Sequence, residues 1–218
     1  MAMKILLVAA VRDEINALFN NPRLQNQCTP LITGPGIPAT LFYLSKWLHA
    51  HQADVIVNAG LCGSFSSRFP LGTVVHVKRD CFGDLGAENK EGFIHVSDLA
   101  FEKANPSYTK YISPGELSFP CATLRSLKSA NAITVNKVLG NESSIQKVKN
   151  QFNPDIESME GAAVCYVGQK ESIPVVQVRA VSNLVENRDK SKWETEKATL
   201  QLAETVSQLI NELAGSDD

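Results

Sequence analysis

Three side chains that could do chemistry stand where stretches of regular structure are expected to end. Glu14 follows the apolar run 5–11, Glu160 precedes a helix of small residues, and Asn183 follows the apolar run 173–181. A carboxylate can accept a proton or bind hydroxyl groups, and a carboxamide carries a donor beside an acceptor. Parallel strands bring their carboxyl ends to one edge of a sheet, where ligands bind in open α/β folds. The sequence therefore predicts a pocket at that edge.

Taken alone, most of these features have a simpler structural interpretation. A Glu after a first strand is more often a charge at a helix amino terminus, and Asn183 can cap a turn. The segments 34–36 (Gly-Pro-Gly) and 60–63 (Gly-Leu-Cys-Gly) are more often turns than ligand loops. Glu160 is harder to dismiss, because the small residues 161–163 favour close packing and would draw its carboxylate inward. A buried carboxylate needs a partner or a ligand.

The elements that must position these residues alternate between strand and helix patterns. Apolar, β-rich runs predict strands at residues 4–11, 28–33, 54–58, 72–78, 132–135 and 173–181. Helices are predicted from residue 15, over 38–51, from the N-cap Asn141 to about residue 150, after residue 160, and from about residue 191. Strand, helix and strand at this spacing form a βαβ unit, so we expect an α/β fold with a parallel sheet.

Two further regions complete the expected single domain, residues 1–218. Residues 80–120 are rich in Gly, Pro, Asp and Ser and predict loops and short strands. The last helix is expected to pack one apolar face on the sheet and to end before a short acidic tail. That predicted face consists of Leu200, Ala203, Val206, Ile210 and Leu213.

Composition narrows the class of protein. The 218 residues are 44% hydrophobic and 20% charged, with a net charge of −2, which gives no electrostatic reason to expect nucleic acid or an anionic membrane as partner. Five scattered cysteines and four unclustered histidines predict reduced thiols and no metal site. The run 5–11 ends in charged residues, as expected of a first strand rather than a signal peptide, and no apolar run approaches the ~20 residues of a membrane span. We expect a cytoplasmic protein.

The order of five segments along the chain resembles the nucleoside phosphorylase and nucleosidase superfamily. Within that superfamily, residues 84–88 and 186–193 are most similar to the futalosine hydrolases. The resemblance implies a three-layer αβα fold around a mixed, largely parallel twisted sheet, a homo-oligomer and no cofactor. The segments that carry it are Ala10-Val11-Arg12-Asp13-Glu14, Gly34-Pro35-Gly36, Asn58-Ala59-Gly60-Leu61-Cys62-Gly63, Glu157-Ser158-Met159-Glu160-Gly161-Ala162-Ala163 and Arg179-Ala180-Val181-Ser182-Asn183.

The resemblance also implies roles for individual residues in cleaving an N-ribosidic bond through an oxocarbenium-like sugar. Glu14 would orient and deprotonate the attacking water. Glu160 would accept both ribose hydroxyls, and Met159 would pack against the sugar. The remaining positions that the resemblance brings to the substrate are Gly60, Leu61, Cys62, Gly63, Val138, Leu139, Ser158 and Ser182.

Asn183 departs from the adenine-specific nucleosidases, which carry an aspartate at the matching position. Its NH2 group can donate to a 6-oxo group while its carbonyl accepts from a protonated N7, and Ser182 would orient the amide. This pattern fits hypoxanthine or guanine and mismatches adenine, a discrimination of roughly 10²-fold or more. Together with this pattern, the resemblance to the futalosine hydrolases implies hydrolysis of futalosine, releasing hypoxanthine and dehypoxanthine futalosine in menaquinone biosynthesis. The source of the N7 proton and the contacts to the 5′ substituent stay open.

Several alternatives remain beside this expectation. Phosphorylases hold phosphate with an arginine where this chain has Asn58, and Glu14 would repel phosphate, although Arg12 and Arg79 could supply charge. A methylthioadenosine/adenosylhomocysteine nucleosidase and a nucleoside-binding protein without turnover are further alternatives. Arg179 is expected to pair with a buried carboxylate. The charged loop 186–192 is either a lid or a solvated face.

Overall fold

A computed structural model describes residues 3–20, 22–104, 107–114, 117 and 120–215 of the chain. The acidic tail expected at residues 217–218 lies outside the described residues. The strands are β1 (Ile5–Ala9), β2 (Cys28–Ile32), β3 (Val55–Ser64), β4 (Val74–Arg79), β5 (Gly86–Asn89), β6 (Gly92–His95), β7 (Lys128–Thr134), β8 (Ile156–Ser158) and β9 (Val175–Leu184). The α-helices are α1 (Pro22–Gln27), α2 (Ile37–Ala50), α3 (Ala100–Ala104), α4 (Ala122–Ser126), α5 (Glu142–Phe152), α6 (Gly161–Glu171) and α7 (Thr195–Leu213).

The first strand is buried on both faces, as its unbroken apolar sequence predicts. Leu7 belongs to a cluster that includes Val206 and Ile210 of α7. Leu6 points the other way, into a cluster with Leu44 of α2 and the small residues at the start of α6. Because successive side chains of a strand face opposite sides, these clusters lie on opposite faces of the sheet. The predicted α/β arrangement, with helices on both sides of the sheet, is confirmed.

Seven of the described strands form one mixed sheet that closes on itself, and β5 and β6 form a separate antiparallel pair. The order is β2-β1-β3-β8-β7-β4-β9, and β9 pairs back with β3. The pairs β3–β8 and β4–β9 are antiparallel, whereas β1–β2, β1–β3, β3–β9, β4–β7 and β7–β8 are parallel. The five strands of the closed part contribute to a shared apolar cluster: Cys62, Val75, Val77, Ala130, Ala132, Ile156 and Val181. The sheet is thus largely parallel, as expected, and partly barrel-like.

The strands that carry the predicted site are longer than the sequence indicates. β3 continues beyond Asn58 through the glycine-containing segment to Ser64, because it pairs with β9 from Ile56 to Ser64. The interpretation of residues 60–63 as a turn or loop is therefore wrong. β9 likewise continues through Asn183 to Leu184. Backbone pairing to a neighbouring strand is a tertiary effect, and the local residue types do not report it.

Two helix predictions need correction. The helix expected from residue 15 is a pair of short 3-10 helices, Arg12–Glu14 and Asn16–Asn20, followed by α1. The last helix begins at residue 195 after a 3-10 turn, Lys190–Lys192. Its predicted apolar face is right except for Leu200, which is 56% exposed, while Leu202 and Leu209 are buried. The described part of the chain has no helix that is both long and apolar enough to cross a bilayer.

Candidate active site

A cavity of about 530 Å³ opens where β1, β8 and β9 end. It brings together almost every site residue predicted from the sequence, including Glu14, Glu160 and Asn183. Gly60 is the exception, because it is not among the residues that line the cavity. The lining consists of Ala10, Val11, Glu14, Pro35, Leu61, Cys62, Gly63, Leu71, Val138, Leu139, Glu157, Ser158, Met159, Glu160, Ser182, Asn183, Leu184, Glu186, Asn187, Arg188, Asp189, Lys192, Trp193 and Thr195.

Backbone donors fix the carboxylate of Glu14. The 3-10 turn after β1 folds its side chain back, so that Oε2 accepts from the N–H groups of Ala10 (3.1 Å) and Val11 (3.2 Å). Oε1 accepts from the N–H of Leu61 on β3, at 2.9 Å. A carboxylate has about four acceptor positions, so these three bonds orient Glu14 and leave one position for a ligand.

Glu160 lies at the amino end of α6 and is 7% exposed. Its Oε1 accepts from the N–H of Gly36, at 2.8 Å, in the turn before α2. Gly36 has φ of 88°, a left-handed conformation that favours glycine, and this conformation aims the N–H at the carboxylate. Burial raises the pKa of Glu160, while the nearby charge of Arg179 and the N–H of Gly36 oppose that rise. The carboxylate is thus buried but not isolated.

Arg179 is a buried cation near these two carboxylates. It is 1% exposed and donates to the side-chain oxygen of Asn58. A Cβ at position 60 would lie 2.2 Å from Nη1 of Arg179 and 2.9 Å from Oε1 of Glu14. Glycine at position 60 therefore lets the guanidinium and the carboxylate approach each other over β3. This close packing explains why position 60 is a glycine without any contact between Gly60 and a ligand. We call Glu14, Glu160 and Arg179 the Glu14 group.

An irregularity in β9 sets the direction of Asn183. Cys62 pairs with Val181 and the next residue, Gly63, pairs with Asn183, so Ser182 is an extra residue in β9. Such a bulge turns the side chains that follow it and is common beside functional sites. The bulge places both polar side chains at the cavity.

The amide of Asn183 has a defined orientation. Its Nδ2 donates to the carbonyl of Leu184 at 3.0 Å, and its Oδ1 accepts from the hydroxyl of Ser182 at 3.0 Å. The Ser182 hydroxyl also lies 3.3 Å from the carbonyl of Cys62. A carbonyl only accepts, so the bond to Leu184 identifies the nitrogen side of the amide. One N–H and one acceptor position of Asn183 remain available to a ligand.

Glu157 lines the cavity beside Asn183 but was not among the predicted site residues. It is 4% exposed, and its Oε2 accepts from the N–H of Leu139 at 3.3 Å. Burial raises its pKa to about 7, while the Leu139 N–H and the charge of Arg188 oppose the rise. The signal in the sequence was the alternation in β8, since Ile156 faces the core and the next residue must face away. We call Asn183, Ser182 and Glu157 the Asn183 group.

The other cavity residues supply walls rather than chemistry. Cys62 is neutral at ordinary pH, because burial raises the pKa of its thiol to about 12. The segment 186–193 contributes several cavity residues and is held by an ion pair between Lys192 and Glu186, at 3.2 Å. The guanidinium of Arg188 stacks over Trp193, 5.2 Å from the ring centre. This segment is therefore a wall of the cavity, where the sequence left its role open.

The sequence and the fold correspond to a known family of proteins. The sequence matches the family described as the phosphorylase superfamily over residues 29–214. The chain belongs to this superfamily, and the resemblance found in the sequence is confirmed.

Individual relatives fall into two kinds of nucleosidase. The chain is 29% identical to futalosine hydrolase of Streptomyces coelicolor, over 74% of this chain and 67% of that protein. It is 22% identical to 5′-methylthioadenosine/S-adenosylhomocysteine nucleosidase of Buchnera aphidicola, over 99% of both. Among solved structures, futalosine hydrolase of Helicobacter pylori superposes with a TM-score of 0.79 at 15% identity, covering 97% of this chain and 99% of that one. The shared fold does not choose between the two substrates.

Proposed function

We propose that the chain hydrolyses the N-ribosidic bond of a 6-oxopurine nucleoside, and that futalosine is this nucleoside. The observation that carries the proposal is the convergence of Glu14, Glu160 and Asn183 on one cavity, from segments far apart in the sequence. The similarity to a futalosine hydrolase and to other nucleosidases supports the reaction class.

Glu14 is the residue we assign to the attacking water. Its one unused acceptor position can take a hydrogen bond from water, and the carboxylate then accepts the proton as the oxygen bonds to the anomeric carbon. The carbon–nitrogen bond breaks at the same time, and its electron pair leaves with the purine. Because backbone N–H groups hold Glu14, the base is already oriented before the substrate arrives.

Glu160 is the residue we assign to the ribose. It uses one acceptor position on Gly36 and keeps others for the two hydroxyls of the sugar. The positive charge of Arg179 favours the ionised form of this buried carboxylate, which the hydrogen bonds to the hydroxyls require. These bonds strengthen as positive charge develops on the sugar ring, so they stabilise the transition state more than the bound substrate.

Asn183 is the residue we assign to the purine. Its remaining N–H donates to the 6-oxo group, and its remaining acceptor position takes the hydrogen of N7 once the leaving base is protonated. Adenine presents an amino group at position 6, which would oppose the amide N–H. The fixed orientation of the amide therefore favours a 6-oxopurine.

Phosphorolysis is less well supported than hydrolysis. Asn58, at the position of the phosphorylase arginine, is buried and already bonded to Arg179 and to the carbonyl of Val8. Arg12 and Arg79 are exposed, and neither is among the residues that line the cavity. Arg79 instead stacks on Tyr111, 4.4 Å from the ring centre.

The test is purine release from futalosine, inosine and methylthioadenosine, each with and without phosphate. We expect hypoxanthine from futalosine at a rate that phosphate does not change. Release that requires phosphate would make the protein a phosphorylase, and release of adenine would favour the methylthioadenosine/adenosylhomocysteine nucleosidase alternative. Tight binding without release would favour the nucleoside-binding alternative.

Three properties implied by the family resemblance remain predictions of this proposal. They are a homo-oligomer, a cytoplasmic location and a role of the product in menaquinone biosynthesis. Sedimentation of the purified chain tests the first, since a monomer at working concentration would contradict it.

A further inference from the structure

Glu157 is a buried carboxylate that the proposed reaction does not use. It faces the cavity from β8, and in the described part of the chain its carboxylate accepts a single hydrogen bond, from the N–H of Leu139. Neither Glu14 nor Glu160 depends on it. Burying a carboxylate costs free energy unless hydrogen bonds or a charged partner compensate for the lost hydration. The position of Glu157 in the cavity therefore calls for an explanation.

The position of Glu157 relative to Asn183 follows from the packing around Gly63. A Cβ on Gly63 would lie 3.1 Å from Nδ2 of Asn183 and 3.4 Å from Cγ of Glu157. The amide nitrogen of Asn183 and the Glu157 side chain thus both lie beside Gly63, whereas the amide oxygen accepts from Ser182. These two cavity residues offer an acceptor, a donor and a second acceptor to a bound base: Asn183 Oδ1, Asn183 Nδ2 and the Glu157 carboxylate.

The edge of a 6-oxopurine presents the matching sequence of groups. From the five-membered ring onward these are N7, which carries a hydrogen in the leaving base, then the 6-oxo oxygen, then N1–H. Donor, acceptor and donor on the base meet acceptor, donor and acceptor on the protein. Adenine presents an amino group and an unprotonated N1 at the last two positions, so both would be mismatched.

We propose that Glu157 is a specificity-determining residue whose ionised carboxylate accepts a hydrogen bond from N1–H of a 6-oxopurine. This inference rests on the proposed function, because it takes the purine orientation assigned to Asn183. Glu157 thus adds a second point of discrimination between 6-oxo and 6-amino purines, and it adds one that depends on pH.

The protonation of Glu157 links base choice to pH. Its pKa is raised to about 7 by burial, against the opposing effects of the Leu139 N–H and the Arg188 guanidinium. The groups that face it from β3 and β9 are the neutral thiol of Cys62 and the neutral amide of Asn183. The ionised form accepts from N1–H, whereas the protonated form donates and suits the N1 of adenine. Affinity for hypoxanthine should therefore fall, and affinity for adenine should rise, as the pH drops.

Calorimetric binding of the free bases hypoxanthine and adenine tests this inference without turnover. For the wild-type protein we expect the Kd of hypoxanthine to weaken roughly tenfold between about pH 8 and about pH 5.5, with the opposite trend for adenine. In Glu157→Gln the pH dependence should disappear, and the preference for hypoxanthine should fall about tenfold. Glu204→Gln, an exposed position on α7, is the matched control and should behave as wild type.

Two further measurements keep the test decisive. The probe 1-methylhypoxanthine has no N1–H, so its binding to the unaltered protein should be weak and should not fall as the pH drops. In steady-state assays Glu157→Gln should raise KM far more than it lowers kcat, because the N1–H bond is present in both ground and transition states.

The outcomes separate this inference from the proposed function. A variant Glu157→Gln that keeps the hypoxanthine preference and its pH dependence overturns the role of Glu157, even if the wild type hydrolyses futalosine. Wild-type protein that binds hypoxanthine as described but releases no base from any nucleoside overturns the hydrolase function and leaves the recognition by Glu157 intact.

Discussion

The Glu14 group and the Asn183 group lie at one cavity, and β9 contributes a residue to each of them. They are nevertheless held in different ways. Backbone N–H groups hold Glu14 and Glu160, and the charge of the buried Arg179 opposes the rise that burial causes in the pKa of Glu160. Asn183 is oriented by a neighbouring hydroxyl, one backbone carbonyl and a strand bulge, whereas Glu157 accepts a single backbone N–H and lies near the exposed Arg188. Glu14 has three backbone donors, which persist through most substitutions, whereas the direction of Asn183 depends on the side chain of Ser182, which a single substitution can remove. The fold therefore carries the bond-breaking geometry, and individual side chains choose the base.

The largest expected effect is that of Glu14→Gln. Because a carboxamide cannot accept the proton of the attacking water, kcat should fall by about 10² to 10⁴ on every nucleoside that the wild type hydrolyses. The Kd for free hypoxanthine should change little, since the base contacts the Asn183 group. Single-turnover release and calorimetry measure the two quantities.

Asp13→Asn is the control for Glu14→Gln, because Asp13 is the exposed carboxylate next to it in the same turn. It should retain wild-type kcat. If Glu14→Gln turned over near normally, Glu14 would have no role in the mechanism.

Gly60→Ala should disrupt the Glu14 group without touching the Asn183 group. The added methyl group would collide with Nη1 of Arg179 and with Oε1 of Glu14. Displacing these groups by an ångström is expected to lower kcat by about 10²-fold, with the ratio of hypoxanthine to adenine affinity unchanged.

Gly140→Ala controls for the general cost of adding a methyl group at a glycine. The nearest atom to its new Cβ would be 3.5 Å away, an ordinary contact. Equal thermal stability and wild-type kcat in Gly60→Ala would contradict the tight approach of Arg179 and Glu14.

Asn183→Asp should change base choice rather than the rate-determining geometry. A protonated aspartate can donate to N7 and accept from a 6-amino group, so the preference between inosine and adenosine should shift by about 10²-fold toward adenosine. The ratio of the two kcat/KM values is the measurement, and Glu14→Gln should leave that ratio unaltered. An unchanged base preference in Asn183→Asp would remove Asn183 from base recognition.

The sequence was sufficient to predict several of the elements and the side chains that share the cavity. Apolar runs located β1 and β2, the apolar stripe located α2, and Asn141 caps α5 as expected, accepting from the N–H of Ser144. These signals are local, because burial and capping determine the residue types within one short stretch of sequence. The order of the polar strand ends then indicated which side chains share a pocket.

The sequence could not predict features that depend on pairing between distant strands. The extension of β3 through Gly60 and Gly63 comes from its register with β9, and glycines by themselves favour a turn. The role of Gly60 arises from Arg179, 119 positions along the chain, approaching across that pairing. Glu157 was missed because its burial depends on neighbours from β3 and β9, and a Glu beside a strand end looks like a surface charge.

The smallest expected effect is on the stability of the folded protein. Its dependence on pH distinguishes the buried carboxylate of Glu157 from an exposed carboxylate. The folded-state pKa of Glu157 is raised from 4.5 to about 7, so the folded protein binds its proton more tightly than the unfolded chain does. That contribution is fully present below about pH 4.5 and is lost as the pH rises through about 7. It amounts to up to about 3 kcal/mol, which corresponds to several degrees in Tm.

Glu157→Gln cannot ionise and should escape this loss. The Tm of the variant relative to wild type should therefore be higher at about pH 8 than at about pH 5, by a few degrees. Glu204→Gln should show the same Tm difference from wild type at both values, because an exposed carboxylate is solvated in the folded and unfolded states alike. If the Glu157→Gln difference were also independent of pH, Glu157 would be solvated and ionised in the folded protein. The carboxylate of Glu157 would then be as accessible to water as one on the exposed surface.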